Sequence, residues 1–104
     1  MASRNQTKKP VEQSADLLSP FLGPLLLEAR ERAGVKQEVL AKKTRMSDAK
    51  LRKIESGVGP LRKADLELIC KVLDLDQDII VLEAIRDLRS FILARLRRDP
   101  KLPL

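Results

Sequence analysis

Apolar residues recur along this chain at helical spacing and nowhere alternate as they would in a strand. Between residues 37 and 55 two short amphipathic runs flank a tight turn. The first carries Val39, Leu40 and Ala41, the second Ala49, Leu51 and Ile54. Apolar positions three to four residues apart line one face of a helix, which predicts helices over 37–44 and 48–55. Ser47 stands where an N-cap belongs, because its hydroxyl can accept a free N–H of the first helical turn. Upstream, Leu22, Leu25, Leu26 and Ala29 give the inward stripe of a helix that begins at Pro20 or Pro24 and ends near Ala33. Proline suits a first helical position, where its missing N–H costs little, and Gly34 supplies the C-terminal cap. The stretch SGVGPL at 56–61 holds two glycines and a proline and reads as a loop. Leu66, Ile69, Cys70 and Leu73 then repeat at i, i+3, i+4 and i+7, which predicts a helix from 62 or 63 to 73. An acidic junction at 74–78 caps the last and longest helix, expected over 77–98 and ending before Pro100.

That last helix carries more apolar residues than one small domain can easily cover. Val81, Ile85, Leu88 and Ile92 are spaced 4, 3 and 4 apart, with Leu96 near the end. This is a short coiled-coil-like seam, expected to pair with a second copy of the chain. Leu82, Phe91 and Leu93 lie off the seam and are expected on the body of the domain. The organisation that follows is a basic, aperiodic arm over 1–16, read as disordered, a domain over 17–75, a dimerisation helix over 76–98 and a tail over 99–104. Arg4, Lys8 and Lys9 in the arm read as cations of a solvated tail, with contact along a DNA groove as the alternative.

Charge sharpens the picture. The 104 residues are enough for one domain, and the formal net charge is +6. Residues 42–63 hold eight cations and two acidic residues, so this segment alone carries a charge equal to that of the whole chain. Outward on the second short helix stand Asp48, Lys50, Arg52 and Lys53. A short helix with one buried face and a cationic free face fits the major groove of DNA in width and in charge. The two aromatic residues, Phe21 and Phe91, read as core, so stacking platforms for single strands are lacking and duplex DNA is the expected partner. Enzyme readings find little support, for there is no histidine, no Walker-type glycine loop and no activated cysteine, and Asp76 and Asp78 read as helix caps. One cysteine and no histidine leave too few ligands for a protein zinc site, and neither a metal nor another cofactor is expected. Cys70 sits among Ile69, Val72 and Leu73 and reads as a buried thiol in a reducing compartment. The first twenty residues lack the apolar core of a signal peptide, and no apolar run approaches the roughly 18–20 residues of a membrane span, so no membrane association and a cytoplasmic location are expected.

The run from 26 to 57 resembles the helix-turn-helix of the Cro/repressor type, the lambda-repressor-like or XRE-type regulators of bacteria and phages. The matching residues are Arg30, Gly34, Val35, Gln37, Leu40, Ala41, Ser47, Leu51, Ile54, Glu55 and Gly57. The resemblance covers about half the chain, roughly 22–75. It implies an all-α, five-helix lambda-repressor-like domain extended by a dimerisation helix. It further implies a prokaryotic, sequence-specific transcriptional regulator, expected to repress as a homodimer on a palindromic operator. An antitoxin that represses its own operon, with a toxin as protein partner, is the alternative within this class. A helical protein–protein adaptor with an incidental basic patch is the alternative outside it.

The resemblance also suggests roles for single residues. Gln37 would bind a phosphate and brace the recognition helix. Ser47, Asp48 and Ala49 would lie nearest the base edges, with Ala49 against a thymine methyl and Asp48 accepting from a cytosine amino group. Asp48 equally suits a first helical turn by its charge alone. Lys53 would donate to guanine, while Lys50 and Arg52 would contact base or phosphate. Lys36, Lys43, Arg62 and Lys63 would hold phosphates, positioning the protein without reading sequence. Glu55 is expected to be structural, paired with Arg30. The departure from the pattern is Arg45, where the family usually has glycine in a positive-φ turn. A side chain there costs roughly 1 kcal/mol but adds a cation facing the backbone.

Overall fold

The computed structural model describes the backbone of residues 10–98 and the side chains of residues 17–98. Its five helices are α1 (Pro10–Arg32), α2 (Gln37–Thr44), α3 (Asp48–Ser56), α4 (Lys63–Leu73) and α5 (Gln77–Arg98). All regular structure among the described residues is helical, as the all-α reading requires. Residues 1–9 of the expected arm, with Arg4, Lys8 and Lys9, lie outside the described residues, as does the expected tail over 99–104, whereas residues 10–16, read as disordered, form the first turns of α1.

The first helix departs from expectation. It starts at Pro10 rather than at Pro20 or Pro24 and runs through both prolines. A proline inside a helix removes one i→i−4 bond and costs about 3 kcal/mol. Packing outweighs that cost here. Leu18, Leu22 and Leu26 form one buried row at i, i+4 and i+8, and Leu18 lies upstream of both prolines. Pro20 and Pro24 occupy exposed positions, so neither ring disturbs the core.

The core joins that row to Leu40, Leu51, Ile54, Leu61, Leu66 and Ile69, with Cys70 and Leu73 beneath. The main helix α1 packs on both α3 and α5. Its approach to α3 is set by glycines. A Cβ at Gly23 would come within 2.1 Å of the Ile54 carbonyl oxygen, and one at Gly57 within 3.0 Å of the Pro20 oxygen. Gly57 also ends α3 in the left-handed region at φ 80°.

The turn between α2 and α3 keeps the geometry that glycine would favour, although Arg45 occupies it. Arg45 has φ 62° and ψ 33°, and the Met46 N–H closes the turn on the Ala41 carbonyl at 2.9 Å. Ser47 caps α3, its Oγ accepting from the Lys50 N–H at 3.0 Å. Asp76 caps α5, its Oδ1 accepting from the N–H groups of Asp78 at 3.0 Å and Ile79 at 3.2 Å. Asp74 ends α4 in the same left-handed region, at φ 56°, a position the sequence pattern does not flag.

The last helix is not an appendage. Ile80 and Ala84 are buried in the core shared with α1, so α5 belongs to the domain. The expected seam is split as a result. Val81 and Leu88 pack partly against the domain, while Ile85 is 44% and Ile92 38% exposed. Leu96 is half-buried. Leu82, expected on the body of the domain, is instead 64% exposed. Its direction follows from helix geometry, since it lies most of a half-turn away from the Ile80 and Ala84 face. Phe91, expected in the core, is 49% exposed, although its ring meets Phe21 of α1 edge-on with centroids 5.9 Å apart. No helix among the described residues is long and apolar enough to cross a membrane.

Candidate nucleic-acid interface

The third helix has two chemically opposite sides. Leu51, Ile54 and Glu55 are buried, and Asp48, Ala49, Lys50, Arg52 and Lys53 are exposed. The buried side is held by an ionic network. Arg30 of α1 donates from Nε to Glu55 Oε2 at 2.6 Å and from a terminal nitrogen to Oε1 at 3.2 Å. Its other terminal nitrogen donates to the Val35 carbonyl at 2.8 Å. Gln37 completes the set by donating from Nε2 to Glu55 Oε1 at 2.8 Å. A charged group this far from water persists only where partners satisfy it, and Glu55 has two. The network therefore ties α1, the start of α2 and the end of α3 into one rigid frame. Gln37 thus ties the start of α2 to the end of α3 through Glu55.

The exposed side opens into a cleft of about 420 Å³ between α3 and the start of α4. Ser47, Ala49, Lys50 and Lys53 line one wall, and Gly59, Pro60, Arg62 and Asp65 the other. Five of the expected contact residues, namely Ser47, Ala49, Lys50, Lys53 and Arg62, therefore meet in one place. Lys36, Lys43, Arg45, Asp48, Arg52 and Lys63 are exposed outside the cleft. The line from Val81 to Leu96 belongs to a separate helix face.

Of the lining residues, Gly59 and Pro60 read from the sequence only as parts of a loop, and Asp65 has no reading there. Gly59 lies so close to Lys53 that a Cβ would stand 2.8 Å from the Lys53 Cβ. Any side chain at 59 would push on the stem of a cation that faces the interface. Asp65 is buried on the first turn of α4, and its Oδ2 and Oδ1 lie 3.2 Å and 3.4 Å from the Lys50 Nζ. Its Oδ2 receives no hydrogen bond of good geometry, so the Lys50 ammonium beside it is what offsets its charge. No local pattern announces either contact, because each is made only across the loop between α3 and α4.

The buried thiol is off this site. Cys70 is 2% exposed. Burial, and secondarily the Asp76 carboxylate, push its pKa up to about 11. A thiol held neutral in this way is a poor nucleophile at neutral pH.

Comparison with known proteins agrees with the geometry. Two solved structures of the clp gene regulator ClgR from Corynebacterium glutamicum are similar to this chain. One is 28% identical, with 65% of this chain and 87% of that chain covered and a TM-score of 0.62. The other is 24% identical, with 79% and 93% covered and a TM-score of 0.64, and speaks for the fold alone. No curated protein matches the sequence. The profile of the helix-turn-helix domain matches residues 22–79, more than half of the sequence and the whole of α2, α3 and α4. With this match, and with a capped second helix whose free face is cationic, the chain belongs to the helix-turn-helix domain family, a class of DNA-binding domains whose second helix enters the major groove.

Proposed function

We propose that this protein is a transcriptional regulator that binds duplex DNA sequence-specifically, as a homodimer, and represses from a palindromic operator. The observation that carries the reading is the free face of α3, exposed over Asp48, Ala49, Lys50, Arg52 and Lys53 while Arg30 and Gln37 clamp its opposite side through Glu55. A helix held rigid on one side and cationic on the other can enter a groove without first being ordered. Ala49 and Lys53 read base edges. Lys36, Lys43, Arg45, Arg52, Arg62 and Lys63 surround them and hold phosphates. Ser47 and Asp48 sit at the start of the helix, nearest the groove floor.

The dimer rests on α5. Leu82, Ile85 and Ile92 present apolar surface to solvent on one side of that helix, with Val81, Leu88 and Leu96 at its margin. A contiguous exposed apolar stripe on a small protein marks an interaction surface. A second copy is the occupant that also meets the needs of DNA, since half-sites about 34 Å apart are read by a two-fold symmetric pair. Repression follows from occupancy, because a dimer seated on an operator excludes other proteins from it.

The test is fluorescence anisotropy of a labelled genomic duplex against ionic strength, with sedimentation of the free protein in parallel. The account predicts a dimer whose affinity falls linearly on a log–log salt plot. Binding that ignores salt, or a monomer at micromolar concentration, would overturn it.

A further inference from the structure

We propose that Asp65 is a positioning residue that withholds Lys50 from the DNA backbone, so that the two enter the interface as a neutral pair; this rests on the DNA-binding reading above. The recognition helix offers three cations, Lys50, Arg52 and Lys53. Their charges alone would make all of them phosphate contacts. Lys50 differs because its ammonium is turned across the cleft onto Asp65, 3.2 Å from Oδ2.

Three features hold it there. Its backbone is fixed by the cap, the Lys50 N–H donating to Ser47 Oγ. Asp65 stands on the first turn of α4, a rigid mount, with only 12% of its side chain exposed. Lastly, the carboxylate cannot be left alone. A surface ion pair breaks at little cost, but removing the partner of a buried carboxylate leaves an uncompensated charge. Here that charge would also face the phosphates of the bound duplex. Moving Lys50 to a phosphate would therefore lose at Asp65 what it gained on the backbone.

The consequence bears on specificity. Phosphate contacts strengthen binding to every sequence alike, whereas base contacts discriminate. Neutralising one cation at the centre of the interface lowers non-specific affinity and leaves Ala49 and Lys53 to read bases. Asp65 thus acts on selectivity without touching DNA.

The experiment compares wild type, Asp65→Asn and the double variant Asp65→Asn/Lys50→Met by anisotropy on a mixed-sequence duplex across a salt series. Asparagine keeps the shape of the side chain and removes its charge. Asp65→Asn should bind the mixed duplex several-fold more tightly at low salt, with a log–log salt slope steeper by about 0.9, the increment for one additional phosphate contact. The double variant should return to the wild-type slope. Damage to folding would weaken binding and could not steepen the slope, so that readout separates positioning from structure. If Lys50 already contacts phosphate in the wild type, Asp65→Asn will leave the slope unmoved and the double variant will flatten it, and the proposal fails. If the wild type binds no duplex in a salt-dependent manner, the DNA-binding reading fails and takes the proposal with it.

Discussion

Glu55 shows how one side chain links stability to function. It is 2% exposed and shared between Arg30 and Gln37. Replacing it with alanine leaves a buried guanidinium unpaired, and the expected loss is about 3–5 kcal/mol, measured by urea denaturation. Lys53→Ala should leave stability nearly unchanged but shift base preference by about 1–3 kcal/mol at the contacted position. Lys63→Ala should weaken all sequences alike and flatten the salt slope by about 0.9. Competition among sequence variants of one duplex separates the two outcomes. Cys70 carries a pH signature. Its thiol keeps its proton up to about 11 in the folded chain, against an ordinary value of 9.0. Between these values the unfolded chain releases a proton that the folded chain retains, so stability should fall as pH rises from about 9 to about 11. Cys70→Ala should lower stability at neutral pH through the cavity it leaves. It should also lose this component of the alkaline decline, and urea midpoints at both pH values would show the difference.

Legibility differed from element to element. Helices α2, α3, α4 and α5 match their expected spans to within a residue, because each has a periodic apolar face and a marked boundary such as Ser47, Gly57 or Asp76. For α1 the signal misled, since prolines at 20 and 24 imitate a helix start. What overrides them is the burial of Leu18 and Leu22, which depends on where α3 and α5 lie. The contact of Gly23 with α3 and the pair of Lys50 with Asp65 were hidden for the same reason, as both join residues far apart in the chain. Gly23 sets the spacing of α1 and α3 closely enough that Gly23→Ala must push the helices apart. Overpacking of this kind costs about 1–3 kcal/mol. Circular dichroism against temperature should show a clearly lowered midpoint, and an unchanged one would mean that the two helices approach less closely than 2.1 Å from the added Cβ to the Ile54 oxygen implies.

At the scale of the molecule, α5 has two sides. One, through Ile80 and Ala84, completes the core with α1, and the other leaves Leu82, Ile85 and Ile92 exposed, the surface proposed above to pair with a second copy. Ile85→Asp with Ile92→Asp should therefore leave the fold intact, since neither residue is part of the buried core, and should yield a monomer with greatly weakened operator binding. Sedimentation combined with anisotropy reads both effects. The most direct test of the whole account is selection of binding sites from a random duplex pool by the purified protein, followed by sequencing. The account predicts enrichment of a palindromic site with half-sites centred about one helical turn apart, and a changed consensus for Lys53→Ala. A pool that returns no enriched sequence, or the same consensus from both proteins, would contradict it.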